Sequence, residues 1–182
     1  MKLPDSIMSD KNLIRLQYFF STNSTKKFTH AQIKKIVKLS KITLTKWLDI
    51  LIDVDFIKYE QIGRTYLFWA NSDNSVVKQV KILFNVENLY GSAKEIASKL
   101  ECEVYIFGSA ARGEDTESSD IDLLIIGDRV AGNAVNAELA SLEKLIERKI
   151  TFQIFTKLEW AQAARKDKPF YERVEKDKIR LA

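Results

Sequence analysis

Two aspartates, Asp120 and Asp122, break into an apolar run in "IFGSAARGEDTESSDIDLLIIG", residues 106–127. A carboxylate inside a strand is costly to bury without a partner. Residues two apart on a strand share a face, so the spacing aims both carboxylates the same way. A hard divalent cation, held through one or two carboxylates and a phosphate, relieves their repulsion. Upstream, "ECEVYIFGS" reads as a strand ending in a tight Gly108-Ser109 turn, and "AARGE" as the start of a short helix. Amides near Ser109, together with its hydroxyl, suit a phosphate. The two halves of the stretch therefore point to one ligand, a metal-bound triphosphate. An EF-hand reading of "DTESSDIDLLII" fails, because Asp120 stands where glycine is needed and Ile126 where glutamate is needed.

Gly108-Ser109, ten intervening residues and Asp120-Ile121-Asp122 reproduce the G-S-x(10)-D-x-D signature. With Arg112-Gly113 and Ser119, residues 87–182 resemble the minimal nucleotidyltransferases of the DNA polymerase β superfamily. The resemblance implies a mixed sheet flanked by helices, binding a nucleoside triphosphate (ATP is the one expected) with Mg²⁺ or Mn²⁺. Carried over by position, it gives Asp120 and Asp122 the catalytic, metal-holding role. Gly108, Ser109, Arg112 and Ser119 become nucleotide-binding, with Ser119 fixing the loop that aims the aspartates. Arg112 reads equally well as a surface helix residue. The implied reaction is attack of an acceptor hydroxyl on the α-phosphorus with loss of pyrophosphate.

One part of the family pattern is missing. Such enzymes place a third carboxylate on a later strand, which here is "KITFQIFT". Its two faces, Thr151, Gln153, Phe155 and Ile150, Phe152, Ile154, carry no acid. Thr151 takes the position assigned to the missing group, with Gln153 the alternative. Three readings stay open: Glu117 or another loop acid substitutes, the acceptor needs little activation, or the site binds nucleotide without turning it over. Glu159 in "TKLEW" reads as a helix cap.

The elements before this region have a different character. Through Asn85 the chain carries 14 Lys+Arg and 7 Asp+Glu (+7), and the remainder carries 15 and 18 (−3). A basic front half suits a polyanionic partner. "SDKNLIRLQYFFS" sets Leu13, Leu16, Phe19 and Phe20 on one helical face, with Ser9 as N-cap. "THAQIKKIVKLS" restarts helix at Thr29 with an Ile33, Ile36, Val37 stripe, and "SKITLTKWLDILIDVDF" follows after a short break, burying Leu44, Leu48 and Leu51. "FIKYEQIGRTYLFWA" reads as strands 56–60 and 64–70 turning near Gly63. Three helices and a hairpin resemble a winged helix-turn-helix domain. That resemblance makes the helix from Lys41 the recognition helix, with Lys41, Thr43, Thr45 and Lys46 facing DNA and Arg64 on the wing. "NSDNSVVKQVKILFNVENLYGSAKEIASKL" reads as two helical stretches, bent or broken at Gly91.

Composition excludes several classes. A single cysteine, Cys102, forbids an intrachain disulfide and a Cys-rich zinc site. The start of the sequence lacks a signal peptide's build and no run is apolar enough to span a membrane, so a cytoplasmic protein is expected. The fold class expected is α+β: a winged helix-turn-helix DNA-binding domain over 1–72, a helical connector over 73–100 and a minimal nucleotidyltransferase domain over 101–182. Expected partners are a nucleoside triphosphate, DNA, a protein or nucleic-acid acceptor and a second copy of the chain. Related minimal nucleotidyltransferases occur beside small helical toxin proteins, which makes protein modification one option. The alternative function is a DNA-binding regulator or antitoxin-like protein with a degenerate nucleotide-binding domain.

Overall fold

The computed structural model describes residues 10–182 and divides into two units, the first ending at Lys81 and the second beginning at Ile82. In the first unit, α1 (Lys11–Thr22) starts where the Asp10 carboxylate accepts the Asn12 amide at 2.7 Å. Ser9, the cap expected from the sequence, lies outside the described residues. Leu13, Leu16, Phe19 and Phe20 are buried, as their spacing requires. Strand β1 (Phe28–Thr29) leads into α2 (His30–Val37), which opens on a capping box between Thr29 and Gln32. Ser40 caps α3 (Lys41–Asp53) by accepting the Thr43 amide, and α3 buries Leu44, Trp47, Leu48 and Leu51. Strands β2 (Ile57–Ile62) and β3 (Thr65–Ala70) form an antiparallel hairpin. Its turn residue Gly63 sits at φ +60, a conformation that costs glycine little. β1 pairs with β3, so the sheet order is β1-β3-β2.

Local details differ from the sequence reading. Thr29 is strand and cap rather than helix. Ile36 is 54% exposed, because α2 ends at Val37 and offers only Ile33 and Val37 to the core. Gly91 neither bends nor breaks anything: α4 (Ser75–Leu100) is one helix of 26 residues, and a Cβ at Gly91 would meet nothing within 4 Å. The division between the units falls inside this helix.

In the second unit the later turns of α4 supply Leu89, Ala93 and Ile96 to the core. Then come β4 (Glu103–Phe107), α5 (Gly108–Arg112), β5 (Ile121–Ile126), α6 (Gly132–Ile146), β6 (Ile150–Phe155), α7 (Lys157–Lys166), α8 (Lys168–Asp177) and β7 (Ile179–Arg180). The sheet order is β6-β5-β4-β7, with β5 and β6 parallel and the other pairs antiparallel. The sheet is thus mixed, with helices on both sides. Ile121, Leu123 and Ile125 pack with residues of α4 and α6. Leu124 and Ile126 pack with Trp160 and Ala163 of α7 and Val174 of α8. A strand buried on both faces reads as a continuous apolar run, which is why Asp122 is conspicuous in it. β5 begins at Ile121, so Asp120 precedes the strand rather than opening it. Glu159 closes a capping box with Thr156 at the start of α7. Pro169 lies in the first turn of α8, where its missing amide proton costs nothing.

Candidate functional site

β4 and β5 are antiparallel with Phe107 opposite Asp122, so the chain leaving β4 passes beside that aspartate. Gly108 takes φ +72 there, and a Cβ on it would stand 2.6 Å from Asp122 Oδ2. A side chain there would have to displace the Asp122 carboxylate and adopt a strained φ, so glycine suits the position for both reasons. On the other flank, β6 sets Thr151 in register with Asp122, and the Thr151 hydroxyl donates to Asp122 Oδ1 at 2.6 Å. Each oxygen of Asp122 therefore has a fixed neighbour, bare backbone for one and a hydroxyl for the other. Gln153 instead pairs with Leu124 and is exposed. Asp120 is exposed, its Oδ2 standing 3.9 Å from Lys149 Nζ. Ser109 is half-buried in α5, and its carbonyl accepts the amides of Gly113 and Glu114.

The loop between Gly113 and Asp120 is held from outside by residues the sequence reading did not single out. Arg148, just before β6, donates from Nε (3.0 Å) and Nη2 (2.9 Å) to the Ser119 carbonyl. Its Nη1 donates to Asp115 Oδ2 at 2.7 Å. Asn85, on α4, donates to the other Asp115 oxygen at 3.2 Å and to the Ala110 carbonyl at 3.0 Å. Asp115 is 3% exposed, so this charge depends on its hydrogen bonds. Within the loop, the Ser119 hydroxyl accepts the Thr116 amide at 2.9 Å.

Arg112 is engaged within the protein. Nε donates to Glu114 at 2.8 Å and Nη1 to Asp177 at 2.6 Å, bracing α5 against α8. Glu114 and then Asp177 raise the guanidinium pKa further above its ordinary value. The lone thiol of Cys102 is half-buried, and burial pushes its pKa up, away from the reactive thiolate.

Asp120 and Asp122 offer hard carboxylate oxygens, the donor type that magnesium takes when it arrives on a phosphate. Among the described residues no group of three or more His, Cys, Asp or Glu side chains could cage a metal unaided.

In the first unit, Lys34, Lys35, Lys38, Lys41 and Lys46 are all exposed along α2 and α3, and Arg64 is exposed at the hairpin turn. Of the two α3 threonines, Thr43 Oγ1 lies 2.8 Å from Ser40 Oγ and Thr45 Oγ1 lies 3.2 Å from His30 Nε2. Lys46 Nζ lies 4.6 Å from the centre of the Trp47 ring. Ile42, at 84% exposure, projects from the same first turn as Lys41. Burial first, then Lys41 and Lys34, lower the His30 pKa below its usual value.

The family model described as nucleotidyltransferase domain matches residues 86–181, more than half of the 182-residue chain. No curated protein and no solved structure is matched by the chain. Among the described residues no helix is long and apolar enough to cross a membrane. The chain belongs to the nucleotidyltransferase domain family, whose general chemistry is transfer of a nucleoside monophosphate from a nucleoside triphosphate.

Proposed function

We propose that this family member transfers a nucleoside monophosphate, ATP being the preferred donor, to a hydroxyl on a protein or a nucleic-acid end, with Mg²⁺ held by Asp120 and Asp122. The observation that carries the reading is the approach of Gly108 to Asp122, where a Cβ would stand 2.6 Å from Oδ2. Such closeness sets the Gly108 backbone beside the carboxylate, as a shared phosphate–cation pair requires. Ser109 and the neighbouring amides grip the triphosphate. Ser119 and the Arg148 clamp hold the loop before Asp120. Arg112, braced by Glu114 and Asp177, keeps α5 in place and contacts phosphate only if those two carboxylates release it. Bound Mg²⁺ supplies neutralisation of the triphosphate and of charge developing on the transferring phosphoryl group. The acceptor oxygen bonds to the α-phosphorus, the bond to the bridging oxygen breaks, pyrophosphate leaves, and the hydroxyl proton passes to water.

The first unit reads as a winged helix-turn-helix DNA-binding module. Lys41, Lys46 and Arg64 reach phosphates, Thr43 and Thr45 line the same face of α3, and Ile42 offers an apolar contact to a thymine methyl. A second copy of the chain is a further partner consistent with this module.

Label transfer from α-³²P-ATP, and then from the other three nucleotides, to acceptors in a cell lysate tests the enzyme reading. A labelled band with the wild type that vanishes in Asp120→Asn/Asp122→Asn is the expected result. The second reading, a DNA-binding regulator whose domain binds nucleotide without turnover, is favoured by the absence of an acid on β6, where Thr151 faces Asp122. Nucleotide binding without any labelled acceptor would select it.

A further inference from the structure

We propose that this site takes a single divalent cation, the one carried in on the triphosphate, and that Thr151 limits it to one. The inference rests on the nucleotide-site reading above and deepens it. A pair of catalytic cations sits about 3.5–4 Å apart and needs carboxylate oxygens turned toward both ions. Asp122 is flanked on both sides. Its Oδ2 faces the Gly108 backbone across a gap too small for a methyl group, and its Oδ1 receives the Thr151 hydroxyl at 2.6 Å.

The strand that could add charge adds none. β6 runs parallel to β5 with Thr151 directly opposite Asp122, so residue 151 is the point on β6 from which a side chain reaches Asp122. A hydroxyl there donates a hydrogen bond to the carboxylate and contributes no negative charge. Asp120, the second acid, is exposed, with Lys149 Nζ 3.9 Å from its Oδ2. A second ion beside the first would find no further carboxylate on β6 to hold it.

Thr151 is on this account a positioning residue. Its hydroxyl turns Asp122 so that one orientation is presented to the incoming ion, the role that hydrogen-bonding partners of metal-binding carboxylates generally play.

The full-length chain can be titrated with Mn²⁺ in the presence of α,β-methylene-ATP, which cannot release pyrophosphate, counting bound Mn²⁺ by electron paramagnetic resonance. The wild type should bind one Mn²⁺ per chain. Thr151→Val should keep the count at one and weaken it about tenfold. Thr151→Asp should raise the count to two, and its melting temperature should lie below wild type without metal and recover as Mn²⁺ is added. Two ions in the wild type, or one ion in Thr151→Asp, would overturn the proposal while leaving the nucleotide site intact. Loss of all Mn²⁺ with its nucleotide in Asp120→Asn/Asp122→Asn is the expected control. Binding that survives in that double variant, or is absent from the wild type, would overturn the nucleotide-site reading and the inference with it.

Discussion

The two units handle polar side chains in opposite ways. Around Gly108 and Asp122 in the second unit the key groups are already engaged: Thr151 with Asp122, Arg148 with Asp115 and Ser119, Arg112 with Glu114 and Asp177. Along α2 and α3 of the first unit, Lys34, Lys35, Lys38 and Lys41 are exposed, and among the described residues none of them makes an ion pair. A preorganised site spends its charges on fixing geometry, as small-ligand chemistry requires. An exposed, flexible lysine face suits a polyanion, whose phosphates supply the counter-charge on contact. On the proposed function, the difference separates a site for one small ligand from a surface for a long one.

Four experiments can break or sharpen that contrast. Arg148→Ala should have the largest effect. It removes a guanidinium from a carboxylate that is 3% exposed, at a cost of about 3 kcal/mol by chemical denaturation. A loss near zero would show that the second unit's network is decorative. Gly108→Ala comes next. A Cβ must enter at φ +72 against Asp122, for about 2 kcal/mol of stability and loss of Mg²⁺-nucleotide binding, measured by calorimetry. Unchanged binding would mean that the turn and the aspartate do not share a ligand.

Lys41→Ala/Lys46→Ala should leave stability nearly unchanged. It should weaken binding to duplex DNA and reduce the slope of log affinity against log salt by about 1 per lysine, read by fluorescence anisotropy. An unaltered slope would remove α3 from the DNA surface. The smallest effect concerns His30. Its folded pKa is depressed, by burial first and then by Lys41 and Lys34, so the neutral form is favoured on folding. The associated stability is present above about pH 6.5, the unfolded value, and is lost as pH falls through the folded pKa. Melting temperature should therefore drop more steeply between pH 7 and 5 in wild type than in His30→Asn, and equal slopes would contradict the assignment.

What could be read from the sequence is what local spacing controls. The Gly108-Ser109 turn, the aspartates two residues apart and the amphipathic stripe of α1 each lie within a single short segment. Alternation put Thr151 and Gln153 on one face of β6 as the two candidates opposite the aspartates, and only the register with β5 sets Thr151 against Asp122. The clamp was not. Arg148 meets Asp115 from 33 residues away and Asn85 meets it from 30, and no periodicity encodes such a meeting. β1 is only two residues long and carries too little pattern to be seen. Gly91 misled for a different reason. A glycine costs a helix roughly 1 kcal/mol, but here it lies on an exposed face while Leu89, Ala93 and Ile96 hold the same turns to the core. Arg112 was read both as a phosphate ligand, on the resemblance, and as a surface helix residue, and its contact with Asp177 from 65 residues away was not legible.

Hydrogen–deuterium exchange of the whole chain with and without Mg²⁺ and α,β-methylene-ATP tests the central claim most directly, because it reports where nucleotide binds regardless of turnover. The account predicts protection concentrated in peptides covering residues 106–122, and its loss in Asp120→Asn/Asp122→Asn. Protection elsewhere, or an unchanged pattern when nucleotide is bound, would contradict it.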